Sequence, residues 1–73
     1  MIDRSDLRIV EKYTFLGNTR YRIHIIGTNI VFNVKASTEE EALEKAKNLA
    51  AKMGITKEIV EKIREKVKQA EQT

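Results

Sequence analysis

A chain of 73 residues has room for one hydrophobic core, so a single domain, 1–73, is the expectation. It contains no Cys and one His, which excludes disulfide scaffolds and Cys/His zinc sites, and no metal or cofactor is expected. Lys and Arg number 14 against 11 Asp and Glu, a formal net charge of +3, and the 41% hydrophobic and 34% charged residues suit a folded globule. The longest uncharged run, Ile23 to Val34, is too short and too polar to span a bilayer. The opening Met1-Ile2-Asp3-Arg4-Ser5-Asp6 lacks the basic and apolar regions of a signal peptide, so a cytoplasmic protein without a membrane partner is expected.

Leu7 to Leu16 is rich in β-branched and aromatic residues and predicts a strand over about 7–16, followed by turn residues Gly17-Asn18-Thr19. Arg20 to Ile26 alternates strictly: Tyr21, Ile23 and Ile25 point one way, and Arg20, Arg22 and His24 the other. A two-residue turn at Gly27-Thr28 then sets Ile25 opposite Ile30, Ile23 opposite Phe32 and Tyr21 opposite Val34. All six share one face, which predicts a third strand over about 29–36. For the first hairpin, a three-residue loop pairs Phe15 with Tyr21 and Tyr13 with Ile23. That register puts Glu11 on the apolar face, and a bulge near Glu11 or an edge position there would relieve it.

After Ala36 the period changes to about three and a half. Ser37-Thr38-Glu39-Glu40 fits a capping box, with Ser37 as the cap and Glu40 reaching back, ahead of a helix over about 38–53. Its stripe is Ala42, Leu43, Ala46, Leu49, Ala50 and Met53. Gly54 is placed to end it in the left-handed conformation, and Thr56 to cap a second helix over about 56–71, with stripe Ile59, Val60, Ile63, Val67 and Ala70. The fold class is therefore α+β: a three-stranded antiparallel meander followed by a two-helix hairpin packed on one sheet face, with the other face open.

Enzyme templates find no residues to fill them. There is no Cys nucleophile, no Gly-rich phosphate loop and no Ser in a strand-to-helix elbow, and His24 is expected beside Lys12 and Val31 rather than a carboxylate. No catalytic residue and no small-molecule substrate is assigned.

The open face is more informative. Between Leu7 and Ala36 there are five basic residues and one acid, a net of +4, whereas Ser37 to Thr73 holds eight of each. Lys12, Thr14, Arg20, Arg22, Asn33 and Lys35 are expected outward together, residue types that hold phosphates and read base edges. The run Leu49-Ala50, Met53-Gly54-Ile55-Thr56, then Val60 and Ile63 also has helix-turn-helix spacing, which a tight helical hairpin produces equally. Val10, Ile26 and Val31 are expected outward at one end of the open face, where a cluster can serve a homodimer.

Two resemblances rest on these residues. Tyr21-Arg22-Ile23-His24-Ile25, Gly27-Thr28, Val31-Phe32-Asn33-Val34 and Thr38-Glu39-Glu40-Glu41-Ala42 resemble the arm-type DNA-binding domains of tyrosine recombinases over about half the chain. That resemblance implies a three-stranded sheet, backed by a helix, entering the major groove of DNA; the second long helix is an addition to it. The absence of Pro, Cys and Trp, the short connections, the capped helices and their Glu/Lys surfaces resemble de novo designed α/β miniproteins, a composition shared with thermostable proteins. The leading expectation is accordingly a designed or idealised scaffold without evolved activity. The alternatives are a DNA-binding module using the basic open face and a homodimeric interaction domain.

Overall fold

Strict alternation over Tyr21–Ile25 makes the middle strand the spine of the molecule, because its three inward side chains are almost wholly removed from water. The computed structural model describes the backbone of residues 2–71 and the side chains of residues 2–68. A 3₁₀ turn at Arg4–Asp6 leads into β1 (Leu7–Phe15), β2 (Asn18–Ile25) and β3 (Val31–Lys35), then α1 (Glu39–Lys52) and α2 (Lys57–Glu71). The strands form one antiparallel sheet in the order β1-β2-β3, so the expected α+β arrangement is the one observed.

The core lies between one sheet face and α1. Tyr21, Ile23 and Ile25 meet Phe32 and Val34 from β3, and α1 lays Ala42, Ala46 and Ala50 over them, all three fully buried. Residues every fourth position share one helix face, and alanines there let the helix backbone approach the sheet closely. Leu7, Ile2 and Val60 complete the cluster.

The β2–β3 register is the expected one, with Tyr21 opposite Val34 and Ile23 opposite Phe32. The turn differs. Instead of a two-residue Gly27-Thr28 loop, Thr28 N–H donates to Ile25 O at 3.1 Å, with Gly27 at the third turn position and φ of 81°. The Thr28 hydroxyl donates to Ile25 O at 2.8 Å and accepts from Ile30 N at 3.0 Å, which explains why this Thr is buried.

The β1–β2 register departs from the three-residue loop. Leu16 and Gly17, with φ of 51° and 78°, form a two-residue connection of the left-handed kind that suits hairpin twist. Phe15 therefore pairs with Asn18, Tyr13 with Arg20, and Lys12 with Tyr21. The register then shifts between Ile9 and Glu11, so that Ile9 faces Ile23 and Leu7 faces Ile25. Val10 is the extra residue of this bulge, and it reverses the parity of β1. Leu7 and Ile9 remain on the core side while Glu11, Tyr13 and Phe15 emerge on the open side.

Thr38, not Ser37, caps α1: its hydroxyl accepts from Glu41 N at 3.1 Å, and the Glu41 carboxylate, rather than that of Glu40, reaches back to Ser37 N at 3.2 Å. The motif is displaced by one residue because the Ser37 N–H still needs a partner once Thr38 takes the cap. The Ser37 N–H, followed by Lys45, holds the Glu41 carboxyl below its ordinary value. Gly54, at φ of 75°, ends α1 as expected; Ile55 N–H reaches Ala50 O at 2.9 Å and Gly54 N–H reaches Ala51 O at 3.1 Å. Thr56 caps α2 through Ile59 N at 3.2 Å.

Polar groups hold α2 in place. Arg64 donates through Nε to Ile26 O at 2.6 Å and through Nη2 to Asp6 Oδ1 at 3.2 Å, while Lys57 meets Asp3 at 3.0 Å. A Cβ on Gly27 would lie 2.7 Å from Arg64 Cγ, so only glycine fits that turn position beside the arginine. Val60 is fully buried, but Ile63 is half-buried and Ile59 and Val67 are exposed, so the second apolar stripe is covered only in part. The side chain of Ala70 lies outside the described residues.

Burial pushes the Asp6 carboxyl up, but the Asp3 N–H at 3.0 Å, Arg64 and Lys57 outweigh it and hold the group below its ordinary value of 3.8. The unfolded chain therefore binds the Asp6 proton more tightly. The resulting stabilisation is present above pH 3.8 and disappears as pH falls through the lower folded value. In urea melts between pH 7 and pH 2, Asp6→Asn is expected to cost about 1–3 kcal/mol at pH 7 and to flatten the acid limb. An unchanged acid limb would show that Asp6 is not the group responsible. By the same measurement, Ile23→Ala should cost about 2–5 kcal/mol and Val67→Ala less than about 1 kcal/mol.

Candidate nucleic-acid interface

On the open face the side chains stand in rows across the sheet, because residues paired between neighbouring strands project to the same side. One row runs Arg8, His24, Val31; the next Glu11, Arg22, Asn33; the next Tyr13, Arg20, Lys35; and Phe15 with Asn18 closes the hairpin end. Four permanent cations and one acid give the face a net charge of +3. Among the described residues no helix covers it, since the buried residues of both α1 and α2 belong to the core on the opposite side.

Of the expected site residues, Arg20, Arg22, Asn33 and Lys35 are brought together here. Lys12 and Thr14 are not. The Val10 bulge and two-residue turn put them opposite Tyr21 and Thr19 on the helix side, where the Lys12 ammonium lies 6.0 Å from the centre of the Tyr21 ring. Their places are taken by Tyr13 and Phe15, which regular alternation assigns to the core, and Arg8 joins at the far end. The available sequence signal was Glu11: a charged residue in phase with Leu7, Ile9, Tyr13 and Phe15 requires either a buried carboxylate or a break in phase.

The two emerging rings are in contact with the arginines. The Arg20 guanidinium lies 5.6 Å from the Phe15 ring centre and that of Arg22 lies 5.8 Å from Tyr13. Arg22 also faces Glu11 at 3.6 Å and donates through Nε to Asn33 Oδ1 at 3.4 Å, so its head is oriented rather than free. Arg20 Nε is shielded from solvent and has no hydrogen-bond partner. An arginine stacked on an aromatic loses little further freedom on binding and keeps its outer N–H groups for a phosphate or a base edge.

The neighbouring chemistry is sparse. The His24 ring Nε2 lies against the Thr28 carbonyl oxygen, a backbone group. Among the described residues no three His, Asp or Glu side chains gather as a metal site. No described helix is long and apolar enough to cross a membrane. Val10, Ile26 and Val31 are exposed, as expected, and Leu16 at the hairpin tip is 83% exposed. At the start of α2, Lys57 is engaged with Asp3 and Asp6.

Comparison of the chain with protein families, curated proteins and solved structures gives no match.

Deleting Val10 should leave every other β1–β2 pair intact, since Glu11 would then directly follow Ile9 in ordinary alternation. Cross-strand nuclear Overhauser contacts between Ile9 and Ile23 and between Tyr13 and Arg20 are expected in that variant, with stability changed by roughly 1 kcal/mol or less. Contacts between Tyr13 and Ile23 would instead indicate the regular register with a longer turn.

Proposed function

We propose that this chain is a small nucleic-acid-binding module that uses the open face of its sheet. The observation that carries this reading is the joining of Arg20 and Arg22 to Phe15 and Tyr13 on a face with net positive charge and no covering helix. Phosphates are attracted by Arg8, Arg20, Arg22 and Lys35, and base edges have Arg22 and Asn33 within the central row. Aromatic rings on the same surface add planes on which bases or arginines stack. A second reading, an idealised scaffold without evolved activity, is supported by the regular caps at Thr38 and Thr56 and the glycine stop at Gly54. Leu16 at positive φ and an exposed Phe15 favour the binding reading, because an idealised surface avoids both.

Fluorescence anisotropy with labelled 20-nucleotide DNA, single-stranded and duplex, distinguishes the two. With about four phosphates neutralised, log K should fall against log salt with a slope of about −3 or steeper, a loss of roughly 50-fold or more between 50 and 200 mM. Arg20→Ala/Arg22→Ala should abolish binding. Wild-type protein that binds neither DNA at 50 mM salt would leave the scaffold reading, and undiminished binding by the double variant would remove this face from the interaction.

A further inference from the structure

The edge of β3 is not flush with α1. Between them lies a groove of ≈ 410 Å³ lined by Lys35, Lys45 and Lys52, by Asn33 and Asn48, and by the apolar Val34 and Leu49. No acidic residue lines it, although α1 as a whole carries four glutamates. Asn33 and Lys35 belong both to this groove and to the open face, so the basic surface continues around the sheet edge without interruption.

We propose that this groove is a second part of the interface and holds the phosphodiester backbone of the nucleic acid bound on the open face, an inference that rests on the nucleic-acid reading above. Three features make it a track for successive phosphates. Lys45 and Lys52 are seven residues apart, which places them on nearly the same helix face about 10 Å apart along the axis. That span is long enough for the two lysines to meet different phosphates of one strand, whose charges recur about every 3.4 Å along the duplex axis. Asn48 lies between them and offers an amide donor.

Lys45 stands at the groove mouth, donating to Lys35 O at 2.6 Å and facing Glu41 at 3.3 Å across an exposed, readily exchanged ion pair, so its ammonium can pass from Glu41 to a phosphate. Lys52 has no carboxylate partner among the described residues. The adjoining hollow of ≈ 310 Å³ includes Glu41, which ends the acid-free surface in that direction. A phosphate chain leaving the sheet at Asn33 and Lys35 therefore has one path free of acidic residues, toward Lys52.

The test uses the same two labelled 20-nucleotide probes and the full chain. Lys45→Gln/Lys52→Gln should bind at least tenfold more weakly at 100 mM salt and reduce the steepness of the salt slope by about 1.4–1.8, the contribution of two phosphates. Lys45→Arg/Lys52→Arg should restore both. The control Lys62→Gln/Lys66→Gln removes the same net charge from α2 and should leave the slope unchanged. If the groove variant keeps the wild-type affinity and slope while Arg20→Ala/Arg22→Ala still abolishes binding, the groove is excluded and the open face stands. An equal loss in the α2 control would attribute the effect to net charge and overturn the groove. Absence of wild-type binding to either probe overturns both readings.

Discussion

One extra residue in an edge strand decides what the open face is made of. Without the Val10 bulge, Leu7, Ile9, Glu11, Tyr13 and Phe15 would lie on a single side of β1, and a carboxylate would enter the core with the apolar residues. An unpaired buried charge costs several kcal/mol. The break in phase resolves that conflict by keeping Leu7 and Ile9 under the helices and sending Glu11, Tyr13 and Phe15 outward. The carboxylate then finds Arg22, and the rings find guanidinium groups.

The other side of the sheet is closed by means that leave the open face free. Three alanines of α1 sit directly on β2 and β3. At the far end, Asp6 and Arg64 link the 3₁₀ turn, the β2–β3 turn and α2, and Gly27 makes room for the arginine. Because this link is largely polar and Asp6 must ionise to maintain it, the attachment of α2 depends on pH in a way that the alanine-packed core does not. Among the described side chains, residues 65–68 beyond Arg64 add little to the buried core, as the exposed Val67 indicates.

Much of the fold was legible in the residues. Alternation in β2, the pairing of Tyr21 with Val34 and Ile23 with Phe32, the Gly54 stop and the Thr56 cap all follow from local chemistry that points in one direction. The β1 register was not, because strand periodicity specifies parity only within an uninterrupted strand, and Leu16 is not a residue type that announces a positive φ. The candidate site shows the consequence: Arg20, Arg22, Asn33 and Lys35 depend on β2 and β3 and were readable, whereas Lys12 and Thr14 were exchanged for Tyr13 and Phe15 by the bulge. The Asp6–Arg64 link joins residues 58 positions apart and has no local signature.

The open face and the edge groove form one connected basic surface, bounded by Glu41 on one side and by the helix-covered core beneath. The most direct measurement of its role is a titration of ¹⁵N-labelled protein with a 20-nucleotide DNA, followed by amide and arginine Nε–H chemical shifts. Shifts concentrated on Arg8, Tyr13, Phe15, Arg20, Arg22, Asn33 and Lys35, and on Lys45, Asn48 and Lys52 in the groove, with Ile23, Ile25 and α2 unmoved, are the predicted result. Shifts confined to α2, or none at millimolar DNA, would contradict it.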